Sequence, residues 1–208
     1  MSLPLYLMHG WGFDASFWNP MLDHLPGVEA YVVDAGYFGA PSHPPLPQTP
    51  YLAVGHSAGS LSLLGQDLPG CEGLVLFNGF ARFSAAGNYP DGVPARVLER
   101  MRRQLQKSPE AVLADFRSRC GTDEPVPGPP AIEWLDAGLE KLLLDDAREQ
   151  AARWGDRLHW MTGQSDPFPP ARLGFSSSGS IVDGGHLLPL TEPALCADFI
   201  RQWFARHG

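Results

Sequence analysis

Three residues able to attack a carbonyl and move a proton stand far apart in this sequence: Ser57, Asp166 and His186. Ser57 lies in Val-Gly-His-Ser-Ala-Gly-Ser (54–60), between Gly55 and Gly59, at the end of an apolar run. Asp166 follows Trp-Met-Thr-Gly-Gln-Ser (160–165), and His186 follows Val-Asp-Gly-Gly (182–185). A serine hydroxyl becomes a nucleophile when a base takes its proton. An imidazole serves as that base when a carboxylate holds its tautomer and steadies its cation. The chemistry this set suits is acyl transfer through an acyl-serine.

The glycines have a physical reason. A strand ending in Gly-x-Ser-x-Gly and running straight into a helix turns sharply, with the serine at the strained apex. A Cβ at position 55 or 59 would collide with neighbouring backbone, which glycine avoids. Ser57 Oγ is then held above the sheet at a helix N-terminus, where partial positive charge favours an oxyanion. His56 points elsewhere on such a turn and cannot reach Oγ in hydrogen-bond geometry, so the base comes from a distance. The order Ser, Asp, His is that of α/β-hydrolases. Asp183 competes with Asp166 as the acid, but it lies three residues before His186 at a strand end, which favours Asp166. Two backbone donors are expected for the oxyanion, the N–H of Ala58 and that of Trp11 in the loop 8–12, with the Trp11 indole walling the site. Ordinary packing of Trp11 is the alternative.

The elements that must position these residues alternate between short apolar runs and helical patterns, the mark of a parallel sheet with crossover helices. Strands are predicted at 3–9, 29–34, 51–56, 73–78, 157–163 and 180–183, and helices at 14–25, 58–67 and 191–206. Asp14 and Thr191 are the expected N-caps. Residues 35–50 hold too much proline and glycine for a helix and read as an extended loop. Residues 80–155 show helical patterns without a strand: 93–106, 108–119 with Ser108 as N-cap and Pro109 behind it, and 131–154 after a proline-rich break. An all-helical insertion between the fourth and fifth strands is expected to be a lid rather than a second domain.

Composition bounds the rest. The 208 residues are 44% hydrophobic, enough for one sizeable core and too few for two comfortable domains. No apolar run approaches the ~20 residues that span a bilayer, and the N-terminus does not read as a signal peptide. Cys71, Cys120 and Cys196 are an odd, scattered set without metal-ligand spacing, which suggests a reduced, cytoplasmic protein with no metal. A formal charge of -8 argues against nucleic acid and anionic membranes as partners.

His-Gly-Trp-Gly-Phe-Asp-Ala-Ser-Phe-Trp (9–18), Gly-His-Ser-Ala-Gly-Ser (55–60), the segment 135–148 and Gly-Gly-His-Leu-Leu-Pro-Leu (184–190) together resemble the pimeloyl-[acyl-carrier-protein] methyl ester esterases of biotin synthesis. The resemblance covers nearly the whole chain. It implies hydrolysis of a methyl ester on a pimeloyl chain borne by acyl carrier protein, with Ser57, Asp166 and His186 as the triad and Trp11 beside the acyl chain. Phe116, Arg117, Arg119 and Cys120 match a family segment that contacts substrate. Against the family pattern, the N-terminal hairpin and the crossover helix after Asp34 are expected to be missing, and the loop after Asp166 to be short.

Charge bears on the carrier. Residues 96–119 hold seven basic residues against three acidic ones, a positive island on an acidic protein. Arg96, Arg100 and Arg103 recur at i, i+4, i+7 and share a helix face, with Arg117 and Arg119 on the next helix. Such a patch suits docking of an acidic carrier protein; a solvated amphipathic face is the alternative reading. The expectation is a monomeric α/β-hydrolase with a trimmed, mostly parallel sheet of about six strands and a helical lid, a serine carboxylesterase that needs no cofactor. Phe80, Phe83, Phe116 and Leu187, with Trp11, would hold the methylene chain. A general short-chain carboxylesterase, an acyl-carrier thioesterase and a non-catalytic ligand-binding protein stand as alternatives.

Overall fold

The computed structural model describes residues 3–207. Its six strands are β1 (Leu5–Met8), β2 (Ala30–Val33), β3 (Tyr51–His56), β4 (Cys71–Phe77), β5 (Leu158–Gly163) and β6 (Gly179–Val182). Every strand expected from the sequence is present. All pair in parallel, in the order β2-β1-β3-β4-β5-β6. β1 and β3 are buried along their whole length and β4 everywhere but Glu72, as a parallel sheet covered on both faces requires. From β1 the chain passes to β2 on one side and then back to β3 on the other. Such a switch of direction opens a crevice at the carboxyl ends of the strands, and Ser57 follows directly on β3.

Proline decides where the helices break. The pattern over 14–25 divides into a 3-10 turn (Ala15–Trp18) and a short helix α1 (Asn19–Asp23), because Pro20 offers no N–H and crowds the preceding turn. Asp14 caps the turn, accepting the Ser16 amide at 3.0 Å. The helix predicted over 191–206 is α9 (Pro193–His207), and a separate short helix α8 (Leu188–Thr191) precedes it. Thr191 is therefore not the cap of the last helix. It closes α8, and its hydroxyl donates to the Leu187 carbonyl. α2 (Ala58–Leu64) follows Ser57, and a short α7 (Pro169–Leu173) lies between β5 and β6. Residues 35–50 form no helix; Asp34 and Ser42 make a single two-residue bridge there.

Between β4 and β5 run α3 (Ala95–Leu105), α4 (Pro109–Cys120), α5 (Ile132–Leu144) and α6 (Arg148–Trp154). Ser108 occupies the N-cap of α4 without a side-chain bond, and Gly121, at φ 105°, ends that helix in the left-handed region. The pattern over 131–154 splits at Asp145–Ala147 into α5 and α6. This helical segment adds Leu98, Leu105, Leu113, Phe116, Leu135, Leu139 and Leu142 to the same buried core as the strands.

Candidate active site

Ser57 sits at φ 51° and ψ -122°, in a region a side-chain-bearing residue occupies only when its surroundings force it, at a cost of about 1–3 kcal/mol. The flanking glycines make that turn possible. A Cβ on Gly59 would stand 2.1 Å from the Met8 carbonyl oxygen, and one on Gly55 2.8 Å from Ser60 Cα. α2 thus packs directly against β1 and β3 and holds the serine at the edge of the crevice.

His186 Nε2 lies 2.9 Å from Ser57 Oγ, and His186 Nδ1 lies 2.6 Å from Asp166 Oδ2. With Nδ1 protonated, the imidazole donates to the carboxylate and accepts from the serine hydroxyl. All three residues are buried, Asp166 completely. Asp166 Oδ1 accepts the Phe168 amide at 2.8 Å, so both carboxylate oxygens are engaged on the side away from solvent. Asp183, the competing acid, is exposed and takes no part in this chain of hydrogen bonds.

His56 faces the other way, as its position beside Ser57 requires. Its Nε2 donates to the main-chain carbonyl of His186 at 2.9 Å, and its ring stacks on Phe17 at 4.4 Å. Burial, reinforced by the nearby His186 imidazole, holds its pKa well below the ordinary histidine value. His56 therefore anchors the backbone of His186 and stays neutral. A second support is Asn78, just after β4, which sequence reasoning does not single out. Its amide donates to Asp166 Oδ2 at 2.8 Å and to the Gly185 carbonyl at 3.0 Å. Its left-handed backbone, φ 49°, is the one local signal, since asparagine tolerates that region better than most residues.

The two expected oxyanion donors lie on the elements next to Ser57: Gly10, beside Trp11, comes close enough that a Cβ on it would stand 3.0 Å from Ser57 Cβ. Ala58 opens α2 and Trp11 lies in the turn after β1; among the described residues neither amide has an acceptor. The Trp11 indole is buried and tied to α5, its Nε1 donating to the Leu135 carbonyl at 2.8 Å. Gly138 of α5 allows that approach: a Cβ there would be 2.6 Å from Trp11 Cδ1.

Aromatic rings wall the site. Phe168 stands edge-on to His186 at 4.7 Å, Phe116 stacks on Phe168 at 5.7 Å and meets Trp11 edge-on at 4.8 Å. Phe83 reaches Phe168 at 5.6 Å and Phe80 at 4.8 Å. Phe168, absent from the sequence-based set, is the ring that joins the others to His186. Behind this wall lies a cavity of about 220 Å³, lined by Phe83, Val97, Met101, Phe116 and Phe168 among apolar residues, with Arg100, Asp115 and Arg119 also on it. Leu187 and Cys120 are buried in the core and do not line that cavity.

The arginines of α3 and α4 separate into two kinds. Arg96, Arg100, Arg103 and Arg119 are exposed; among the described residues the first three pair with no carboxylate, and Arg119 has Asp115 at 3.8 Å. Arg117, expected to touch substrate and carrier, is instead turned inward. It is 7% exposed, and its guanidinium donates inward to the carbonyls of Gly12 and Glu124. Helix periodicity turns it to the opposite side from Arg119, two residues on.

No family model matches the chain. Among solved structures it is similar to an esterase from Exiguobacterium antarcticum (TM-score 0.82, 15% identity, 97% of this chain and 91% of that one). A bromoperoxidase from Bacillus anthracis is also similar (TM-score 0.79, 16% identity, 99% and 92%). These likenesses show the α/β-hydrolase fold. In sequence, the chain is 30% identical over 190 residues to the pimeloyl-[acyl-carrier protein] methyl ester esterase of Legionella pneumophila strain Lens, covering 82% of this chain and 79% of that protein. The chain belongs to that esterase family. The strain Corby esterase matches over 189 residues at 29% identity, with the same coverage. The enzyme is thus a carboxylic ester hydrolase on the α/β-hydrolase fold, and its family segments at 9–18, 55–60 and 184–190 are the ones that converge around Ser57.

Proposed function

We propose that this enzyme removes the methyl group from a pimeloyl methyl ester carried on acyl carrier protein, by a two-step acyl-serine mechanism. The observation that carries the mechanism is the hydrogen-bonded chain Ser57–His186–Asp166, with bonds of 2.9 and 2.6 Å. In the first step Ser57 Oγ bonds to the ester carbonyl carbon while its proton passes to His186 Nε2. Asp166 stabilises the resulting imidazolium. The amides of Trp11 and Ala58 hold the negative oxygen, and loss of one such donor typically costs about 3 kcal/mol of transition-state stabilisation. The carbon–oxygen bond to the methoxy group then breaks, His186 returns the proton to it, and methanol leaves. A water activated by His186 attacks the acyl-serine in the same way and releases the carboxylic acid with the serine restored. None of these steps requires a cofactor.

The substrate reading rests on the family's name and is supported by the lid. Arg96, Arg100 and Arg103 lie exposed on α3 and Arg119 on α4, and two of them, Arg100 and Arg119, border the apolar cavity behind Phe116 and Phe168. An acyl chain delivered by an acidic carrier would find both of its requirements there: apolar walls for the methylenes, and cations for the carrier surface and its phosphopantetheine arm. Ser57 is only 5% exposed, so the ester must reach it through a narrow opening. Placement in the cytoplasm follows from that carrier; among the described residues no helix is long and apolar enough to cross a membrane.

Mass spectrometry of pimeloyl-carrier methyl ester incubated with the enzyme tests this. Loss of the methyl group with the thioester intact, abolished in Ser57→Ala, is expected. Release of pimelate monomethyl ester would reveal a thioesterase instead. Turnover of p-nitrophenyl acetate but not of the carrier substrate would reveal a general short-chain esterase. A chain inert towards every ester would be a binding protein.

A further inference from the structure

Two consecutive residues of the loop after β1 are each held by a different helix of the lid. The Trp11 indole donates to the Leu135 carbonyl of α5 at 2.8 Å. The carbonyl of Gly12, the next residue, accepts from Arg117 Nη1 of α4 at 3.0 Å. Arg117 Nη2 donates to the Glu124 carbonyl at 3.2 Å, and the guanidinium lies 4.7 Å over the Phe13 ring. Among the described residues no carboxylate comes within 4 Å of it. Burying a guanidinium on main-chain carbonyls and an aromatic face, with no carboxylate in contact, is costly, and an apolar side chain of like volume would pack at lower cost. Packing does not account for a cation here; the carbonyl it grips does.

That carbonyl belongs to a loop with little of its own to define it. Gly12 sits at φ 76°, pressed against α4, where a Cβ would meet Leu113 Cδ2 at 3.4 Å and Phe116 Cδ1 at 3.5 Å. A glycine in this conformation relaxes readily when released. Yet the Trp11 amide, one residue away, must be aimed at the oxyanion to a fraction of an ångström, since a 1 Å misplacement can cost about 100-fold in rate. We propose that Arg117 is a positioning residue for the oxyanion hole: through the Gly12 carbonyl it fixes the loop that aims the Trp11 amide, so the hole takes its working shape only when the lid is docked. The inference rests on the reading of Trp11 as an oxyanion donor.

The test compares Arg117→Gln with Arg102→Gln. Arg102 joins α3 to α5 through a bidentate pair with Asp136, bonds of 2.8 Å, and does not touch the loop after β1, so its loss loosens the lid without releasing Gly12. With p-nitrophenyl acetate, Arg117→Gln should lower kcat by about 10- to 100-fold with KM within about twofold. Its affinity for a boronic acid, whose tetrahedral adduct with Ser57 presents an oxygen to the hole, should fall by a like factor. Arg102→Gln should lower Tm and keep kcat within about twofold of the parent enzyme. Unchanged kcat and boronate affinity in Arg117→Gln would overturn the proposal, and so would an equal loss of kcat in Arg102→Gln. Should Arg117→Gln not fold, Arg117→Met, an apolar side chain of similar length that removes the donors to Gly12 O, carries the test by the same criteria. An inactive parent enzyme, or a Ser57→Ala variant as active as the parent, fails the catalytic reading itself; an active parent with an unaffected Arg117→Gln fails this inference alone.

Discussion

Asn78 and His186 share one oxygen. Asp166 Oδ2 accepts from His186 Nδ1 at 2.6 Å and from Asn78 Nδ2 at 2.8 Å, and the same Asn78 amide reaches the Gly185 carbonyl just before the histidine. One side chain therefore ties the acid to the backbone of the histidine loop. It does so from the end of β4, a strand that sits between β3, which leads into Ser57, and β5, which leads towards Asp166. The carboxylate's orientation is set by three donors from three separate segments.

Asn78→Ala should accordingly lose both activity and stability. It leaves Asp166 with one donor fewer and the Gly185 carbonyl unpaired, and it places alanine at φ 49°. A loss of about 2–3 kcal/mol in urea unfolding and of roughly 10-fold in kcat is expected. A variant with parent-like kcat would mean that Asp166 keeps its orientation unaided.

Asp166 can be distinguished from Asp183 as the acid. Asp166→Asn keeps the shape of the site but presents the wrong tautomer to the serine, and kcat should drop about 10⁴-fold. Asp183→Asn changes an exposed residue and should stay within about twofold. Steady-state kinetics on p-nitrophenyl acetate decide it, and equal effects would unseat Asp166.

Much of this was legible because it is local or strictly ordered. The strands announce themselves as apolar runs, and Gly55, Ser57 and Gly59 encode a strand-to-helix turn whose steric demands hardly depend on the rest of the chain. Asp166 and His186 follow from the order in which this fold presents its groups at the sheet's carboxyl edge. What escaped depends on long-range packing. Asn78 is one of many residues after a strand until β5 and the histidine loop close on it. Phe168 gains meaning when α4 lays Phe116 over it. Arg117 and Arg119 are indistinguishable by charge, and only the docking of α4 on the loop after β1 turns one inward and leaves the other in solvent. The helix break missed within 14–25 had a local cause, Pro20, outweighed in the sequence by continuous amphipathic patterning.

Gly59→Ala tests the turn itself. The new Cβ would stand 2.1 Å from Met8 O and 2.6 Å from His9 O, buried main-chain atoms at and just beyond the end of β1, so no rotamer change relieves it. Loss of more than about 3 kcal/mol of stability, or no folded product, is expected. Circular dichroism melting checks it, and a stable, active variant would show that α2 can move away from β1.

The exposed arginines should act on the carrier and not on the chemistry. Arg100→Glu with Arg119→Glu reverses the charge on the cavity rim while leaving Ser57 and its partners alone. kcat/KM on the carrier-borne ester should fall by 10-fold or more, with steeper salt dependence in the parent enzyme than in the variant, because steering of an acidic partner is screened by salt. Turnover of p-nitrophenyl acetate should not change. Equal loss on both substrates would mean a collapsed cavity instead.

His56 predicts how stability depends on pH. Its imidazole is enclosed by the Phe17 and Phe13 rings and by His186, and burial followed by the His186 imidazole keeps it unprotonated in the folded enzyme. In the unfolded chain it binds a proton near pH 6.5. Below that pH the unfolded state therefore holds more protons than the folded one, and stability falls as pH falls. His159, lowered by burial and by His207, acts with the same sign. Asp136 and Asp146, held low mainly by Arg102 and Arg148, exchange protons below this window and do not confuse it. Between pH 7.5 and 5.5 the His56 contribution amounts to at most about 1.4 kcal/mol. His56→Gln keeps a donor for the His186 carbonyl but cannot titrate, so its unfolding free energy, lower than the parent's at pH 7.5, should decline less steeply. Parallel curves from urea titrations at the two pH values would mean that His56 takes up its proton without unfolding.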